Sequence, residues 1–130
     1  MMTRRMIKKM FNISRDGIIR LSRGDSCKMP LFINKGNELE PIRYELSKNP
    51  QTVVYLSIMQ PNQYFENGCV RKMYTKNNWE LNDFGDLIVS LEPKDTLYLV
   101  PGKYFYEIKV DLEGLNQVNT IIQKTEFWIM

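Results

Sequence analysis

Hydrophobic and polar residues alternate with a period of two along most of this chain, which is the pattern of half-buried β-strands. The clearest case is residues 104–112, whose apolar face comprises Tyr104, Tyr106, Ile108, Val110 and Leu112. The opposite face of the same stretch carries Glu107, Lys109 and Asp111. No segment keeps a helical period over the length of an ordinary helix, so the pattern predicts a β-protein.

The remaining strands are predicted from shorter alternating segments between turn-forming residues. Residues 53–59 are rich in β-branched and aromatic side chains and predict a central strand, whose inward side chains are Val54, Leu56 and Ile58. Other predicted strands are residues 11–14, 18–22, 27–33, 69–75, 87–91, 118–122 and 125–129, with a weaker one around Tyr44. Turn residues at Asp16-Gly17, 34–37 and 113–116 separate several of them. This spacing predicts an all-β, Ig-like antiparallel β-sandwich of about 7–9 strands.

The segment from Glu92 to Tyr106 leads from one predicted strand into the next, and several of its residues favour a particular local structure. Pro93 has the backbone angle of a first helical position, and Asp95 or Thr96 can cap backbone N–H groups, which predicts a single helical turn. Leu97 and Leu99 are expected to close one end of the core. Pro101-Gly102 then turns the chain, and the hydroxyl of Tyr104 or Tyr106 is expected to bond back to the corner, as in a tyrosine corner. The predicted structural corner therefore consists of Pro93, Asp95, Thr96, Leu99, Pro101, Gly102, Tyr104 and Tyr106.

Length and composition indicate a single domain, and the charged residues are unevenly distributed along the chain. The chain has 130 residues, of which 43% are hydrophobic, enough for one domain with a real core. Its longest apolar runs are too short for a membrane helix, so no membrane partner is expected. Residues 1–23 contain seven basic side chains and one acidic side chain, although the net charge of the whole chain is only +3. We therefore divide the chain into a basic N-terminal arm, residues 1–10, and a β-sandwich domain, residues 11–130.

The residue types needed for common catalytic and metal sites are missing from the sequence. Histidine is absent, which removes the commonest general base and the commonest zinc ligand, and no glycine-rich phosphate loop is present. We therefore expect no enzyme, no cofactor and no metal. The two cysteines, Cys27 and Cys69, lie in alternating apolar stretches and are expected to be buried reduced thiols. An inter-sheet disulfide is the alternative.

Three segments together resemble a known family. They are Arg23-Gly24-Asp25-Ser26, the middle strand Val53–Ile58 and the late segment Leu87–Val110, and the similarity extends over residues 18–129. The chain resembles the Ig-like N-terminal module of phage baseplate upper proteins, and related modules in other phage tail and head proteins. The resemblance implies a non-catalytic virion protein, present in many copies and bound to other virion proteins. Its most specific part is the predicted structural corner.

The resemblance predicts a baseplate or tail adaptor, but other functions stay open. Baseplate upper proteins usually continue into a region that holds receptor-binding proteins, whereas this sequence ends at Met130. Capsid decoration or a neck role is therefore an alternative. A different class of function is a carbohydrate-binding or adhesion module, for which Tyr64 with Asn62 and Gln63 is the candidate. The tripeptide Arg23-Gly24-Asp25 matches an integrin-binding motif, but three residues are too few to be specific and a Gly-Asp turn explains them.

Candidate protein-interface residues come from the arm and from aromatic positions on the polar faces of strands. They are Arg4, Arg5, Lys8, Lys9, Phe105 and Trp128. Phe105 interrupts a polar face, and Trp128 alternates with Phe127 and Ile129, so the two rings are candidates for a surface that a partner covers. For Trp128 the alternative is a core strand that is buried on both faces. The sequence shows no basic face interleaved with aromatic residues, so nucleic acid is not expected as a partner.

Overall fold

The structure of the protein, a computed structural model, describes residues 11–13, 17–36, 39, 41–112 and 118–130. The predicted basic arm, Asp16 of the predicted Asp16-Gly17 turn and the predicted turn at 113–116 lie outside the described residues. One short helix, α1, spans Pro93–Thr96, and two 3-10 turns span Leu46–Lys48 and Phe65–Asn67. The strands are β1 Phe11–Ile13, β2 Ile19–Leu21, β3 Cys27–Leu31, β4 Asn34–Gly36, β5 Pro41–Arg43, β6 Val53–Met59, β7 Val70–Tyr74, β8 Leu87–Leu91, β9 Gly102–Asp111 and β10 Val118–Ile129. The protein is therefore all-β, as the alternation predicts.

Six of these strands form one curled sheet in the order β1-β2-β10-β9-β6-β7. All neighbouring pairs are antiparallel except β2 and β10, which run parallel with Arg20 opposite Trp128. The prediction of a purely antiparallel sheet is therefore wrong at this pair. Alternation reports only which face of a strand is buried, whereas strand direction depends on how distant segments meet.

Two smaller sheets complete the described architecture, β3 with β8 and β4 with β5. The β3–β8 sheet packs its apolar side chains against the large sheet, and both contribute to one hydrophobic core. The large sheet supplies Ile19, Leu21, Val54, Leu56, Ile58, Tyr74, Tyr104, Tyr106, Ile108, Val110, Phe127 and Ile129 to this core. The small sheet supplies Cys27, Leu31, Leu87, Val89 and Leu91. The inward residues that the sequence predicts in β6 and β9 are thus confirmed, except Leu112, which is only partly buried.

Several predicted boundaries differ from the structure. Residues 118–122 and 125–129 belong to one long strand, β10, whose register against β9 shifts twice between Thr120 and Thr125. The residues 34–37 contain a strand instead of a turn, because Asn34–Gly36 pairs with Pro41–Arg43 as β4 and β5. The predicted strand near Tyr44 consequently ends at Arg43. Short polar strands of this kind carry no alternation that a sequence pattern could detect.

The two cysteines are free thiols in different environments. Cys27 is buried in the core, and burial raises its pKa to about 11. Cys69 is exposed just before β7, with its thiol directed to the carbonyl oxygen of Ile58 at 3.3 Å. The prediction of two buried thiols is therefore right for Cys27 and wrong for Cys69. The alternative inter-sheet disulfide is not formed.

Ile108 tests the shared core because it lies at the centre of β9 and has no exposed surface. We expect Ile108→Ala to lower the free energy of unfolding by about 2–5 kcal/mol, since it removes buried methyl groups and leaves a cavity. Val118→Ala is the control, because Val118 is 51% exposed on β10. Urea denaturation of both variants measures the difference. Equal losses in the two variants would contradict the assignment of the core.

The two thiols are distinguishable by their reactivity towards the aromatic disulfide reagent DTNB. At about pH 8 we expect Cys69 of the native protein to react first, because Cys69 is exposed whereas Cys27 is buried, although burial raises the pKa of both thiols. The second thiol is expected to react only after addition of guanidinium chloride. In Cys69→Ser the prompt reaction should disappear while the second remains. Prompt reaction of both thiols in the native protein would show that Cys27 is accessible.

Candidate interaction surfaces

The helical turn α1 is built by the residues that the sequence identifies. Pro93 occupies its first position, and Asp95 Oδ2 accepts a hydrogen bond from the backbone N–H of Glu92 at 2.7 Å. The N–H of Leu97 then donates to the Pro93 carbonyl at 3.0 Å. The predicted helical turn and its cap by Asp95 are thereby confirmed.

The sequence also offers Thr96 as a cap of α1, but in the structure the Thr96 hydroxyl bonds to a different part of the chain. Its Oγ1 accepts a hydrogen bond from the backbone N–H of Gly24 at 3.1 Å, and the Thr96 residue is fully buried. Gly24 has a φ of +81°, and a Cβ there would approach the Leu97 side chain to 3.3 Å. The turn at residues 23–25 is therefore packed on α1, which is a structural reason for the glycine at position 24.

An ion pair connects α1 to the edge of the large sheet. Lys72 Nζ lies 2.9 Å from Asp95 Oδ2 and also donates to the Ser90 carbonyl at 3.1 Å, while Tyr74 donates its hydroxyl to the same carbonyl at 3.0 Å. The Lys72 and Asp95 side chains are only 21% and 13% exposed, so little water competes for these bonds. These contacts join β7 of the large sheet to β8 of the small sheet. The sequence signal for Lys72 is its place between Val70 and Tyr74 on the inward side of β7.

The tyrosine corner is confirmed at Tyr104. Its hydroxyl donates to the Val100 carbonyl at 2.7 Å, across the Pro101-Gly102 bend. Tyr106 instead donates to the carbonyl of Gly17 at 2.6 Å and packs edge-on against Phe127. Burial raises the pKa of both tyrosine hydroxyls, so both stay protonated donors.

The corner exposes apolar side chains that the sequence analysis assigned to the core or did not name. Leu99 packs against the core as expected, but Leu97 is 46% exposed, so the expectation that it closes the core is wrong. Tyr98 and Val100 are still more exposed, at 87% and 74%. Residues 97–100 are four consecutive apolar residues, and a segment without regular secondary structure can bury only some of them. We call the exposed residues Leu97, Tyr98 and Val100 the apolar corner patch.

Phe105 and Trp128, the two predicted aromatic interface residues, lie on the same outer face of the large sheet. Trp128 is opposite Lys103, and Phe105 is opposite Glu126, so the two rings are diagonal neighbours on β9 and β10. Both rings are partly exposed. We define the aromatic–lysine face as Phe65, Phe105 and Trp128 together with Arg20, Arg71, Lys103, Lys109 and Lys124.

Lysine ammonium groups lie over the rings of this face. Lys103 Nζ is 5.4 Å from the centre of the Phe105 ring and 6.0 Å from that of Trp128, and Lys124 Nζ is 5.0 Å from Phe105. Lys109 Nζ is 4.5 Å from the centre of the Phe65 ring. Each such contact contributes about 0.5–1 kcal/mol at an exposed site and about 2 kcal/mol when a partner excludes water. These contacts hold the lysine side chains beside the rings of the face.

The acidic side chains Glu107 and Glu126 of this face are partly buried, whereas four of its five cations are exposed, namely Arg20, Arg71, Lys103 and Lys124. Glu126 accepts a hydrogen bond from Trp128 Nε1 at 3.1 Å and lies 3.7 Å from Lys103 Nζ. The difference is small within this pair, since the Lys103 side chain is 44% exposed and that of Glu126 is 35% exposed. Glu66 lies in the 3-10 turn that flanks the face. The surface thus presents positive charge around partly exposed rings.

Only part of this surface is predictable from the sequence. Phe105 and Trp128 are predicted interface residues, but the lysines between them are not. The prediction that no basic face is interleaved with aromatic residues is wrong, because strands distant in sequence assemble such a face. The other predicted interface residues, Arg4, Arg5, Lys8 and Lys9, lie outside the described residues.

A metal site, an interior ligand cavity between the two sheets and a membrane-spanning helix receive no geometric support among the described residues. No group of three or more acidic or cysteine side chains there could hold a metal ion. The space enclosed between the two sheets is about 10 Å³, which is at most the size of one water molecule. No helix in the described part of the chain is long and apolar enough to cross a membrane.

The residues suggested for carbohydrate binding take part in turns. Tyr64 is 75% exposed, but Gln63 Oε1 accepts the backbone N–H of Gln60 at 2.9 Å. Asn67 Oδ1 accepts the backbone N–H of Tyr64 at 2.7 Å. The side-chain amide oxygens of Gln63 and Asn67 are therefore engaged in hydrogen bonds within the loop that carries Tyr64.

Comparison of the chain with protein-family models, with curated proteins and with solved structures finds no match.

Tyr104→Phe tests the tyrosine corner without changing the packing of the ring. We expect the free energy of unfolding to fall by about 1 kcal/mol, because one hydrogen bond to the Val100 carbonyl is lost. The control is Tyr98→Phe, since Tyr98 is 87% exposed. Urea denaturation measures both. The assignment fails if the two variants lose the same amount.

Proposed function

We propose that this protein is a non-catalytic structural subunit of a phage particle, with the fold of an Ig-like β-sandwich. The family resemblance at residues 18–129 supports the proposal, and so does the Tyr104–Val100 hydrogen bond at the predicted corner. Two sheets that share one core, with β3–β8 against the six-stranded sheet, are compatible with the sandwich.

The aromatic–lysine face is the observation that carries the proposed role in assembly. Aromatic residues on a rigid sheet bind with little loss of conformational freedom, and tryptophan is frequent among the residues that dominate binding energy. The backbone of β9 is paired on both sides at Phe105, with Glu126 of β10 and Met59 of β6, and Lys103 is paired with Trp128 of β10, so the position of these residues is fixed before binding. A neighbouring virion protein would cover this face.

Within the particle, a baseplate or tail adaptor is the leading role, and capsid decoration or a neck component is the second. In both roles the protein would be present in several copies, and repeated weak contacts would add up in a symmetric assembly. The apolar corner patch offers a second contact on the same subunit, so one copy could join two neighbours. Neither a membrane nor nucleic acid is a partner in this proposal.

The proposal is tested on purified particles of the phage or prophage whose genome encodes the protein. We expect mass spectrometry of gradient-purified particles to detect the protein at a constant copy number. We also expect an electron cryo-microscopy map to contain its fold at the tail, neck or capsid surface. Absence of the protein from purified particles would overturn the proposal.

The role of the face is tested separately by complementation with variants. We expect Phe105→Ala combined with Trp128→Ala to reduce incorporation into particles at least about tenfold, because the two rings would lose their buried contact area. The matched control is Phe84→Ala, an aromatic residue that is 67% exposed and outside the face. Circular dichroism of the purified variants checks that they are folded. Normal incorporation of the folded double variant would exclude this face as the docking surface.

A further inference from the structure

We propose that the aromatic–lysine face binds an acidic segment of a partner protein, in which carboxylate side chains are interspersed with apolar ones. This inference rests on the proposed use of the face for docking, and it adds the chemistry of the partner. The face matches such a segment both in its charge and in the spacing of its rings.

Charge complementarity is the first argument. The exposed cations Arg20, Lys103 and Arg71 lie on three different strands, β2, β9 and β7, so positive charge extends across the width of the sheet. Glu126 is already engaged by Trp128 and Lys103, and its side chain is 35% exposed against 44% for Lys103. Exposed cations outnumber the acidic groups available on this face, and carboxylates suit them best.

The positions of two lysines beside one aromatic ring also favour an acidic partner. Two ammonium groups, those of Lys103 and Lys124, lie over the one ring of Phe105. Ring contacts hold these flexible side chains near one another, so that less conformational freedom is lost when carboxylates bind. The uncovered edges of Phe105 and Trp128 remain for apolar side chains of the same partner.

The same geometry favours an acidic protein over single-stranded nucleic acid. Bases stack on open aromatic faces, but here lysines lie over the faces of Phe65 and Phe105. Glu107 and Glu126 also lie among the cations and would repel a continuous phosphate chain, whereas separate carboxylates of a peptide can contact the lysines one at a time.

The probe is a fluorescein-labelled peptide of about 12 residues in which Asp and Glu alternate with Val and Tyr. About six extended residues cross the strands from Arg20 to Arg71, because neighbouring strands are about 4.8 Å apart. Fluorescence anisotropy with the full chain measures its affinity. We expect binding that weakens as sodium chloride is raised, and at least about tenfold weaker binding of a matched peptide with Asn and Gln in place of the acids.

Variants of the protein test whether the acidic peptide binds at the aromatic–lysine face. We expect Lys103→Gln combined with Lys124→Gln to weaken binding of the acidic peptide at least about tenfold. The control Lys94→Gln should leave it unchanged, because Lys94 is 77% exposed on α1. Equal binding of the acidic and amide peptides, or an unchanged affinity in the double variant, would overturn the inference. Tighter binding of a thymidine oligonucleotide of about 12 nucleotides than of the acidic peptide would assign the face to nucleic acid instead.

The two proposals can fail independently. A protein that is found in purified particles but does not bind the acidic peptide leaves the structural role standing and removes the partner chemistry. A protein that binds the peptide through Lys103 and Lys124 but is absent from particles keeps the acidic-partner inference and removes the virion role.

Discussion

The alternation of side chains along β9 is the constraint on which both surfaces of the large sheet depend. This strand is paired on both sides, with β10 and with β6, so it cannot rotate or slip without moving the whole sheet. Its inward residues, Tyr104 to Val110 in alternation, form the centre of the core. Lys103 and Phe105 consequently face outward, next to Trp128. The same register that fills the core therefore aligns the aromatic–lysine face.

Polar contacts between the sheets hold the second layer in place. The β3–β8 sheet has only two strands, and its corner is connected to the large sheet by the Lys72–Asp95 ion pair and the hydroxyl of Tyr74. A partly buried ion pair gives little net stability when its desolvation is counted, but leaving one partner without the other is costly. Such contacts favour one arrangement of the two sheets over sliding alternatives. Apolar packing alone is less selective, since it is non-directional.

Much of the fold follows from local patterns, and the exceptions have physical reasons. Alternation located β6, β8 and β9, and proline with cap-forming residues located α1 and the bend at Pro101-Gly102. The sequence did not reveal β4, since Asn34–Gly36 is polar and gains its strand conformation by pairing with Pro41–Arg43. It also divided β10 into two strands, because register shifts between Thr120 and Thr125 interrupt the alternation. The exposure of Cys69 depends on its place at an edge strand, which is a tertiary property.

The sequence by itself determined the class of structure, the inner side of the main strands and the helical turn capped by Asp95, and it limited the corner hydrogen bond to Tyr104 or Tyr106. These features depend on neighbours within a few residues, such as Asp95 with Glu92. Only the tertiary structure decided that Arg20, Trp128 and Lys103 lie side by side. They come from three strands, and one of their pairings is parallel. Cross-strand pairing places residues together that are distant in sequence, so the charge and aromatic pattern of a sheet surface exists only after the strands have been ordered.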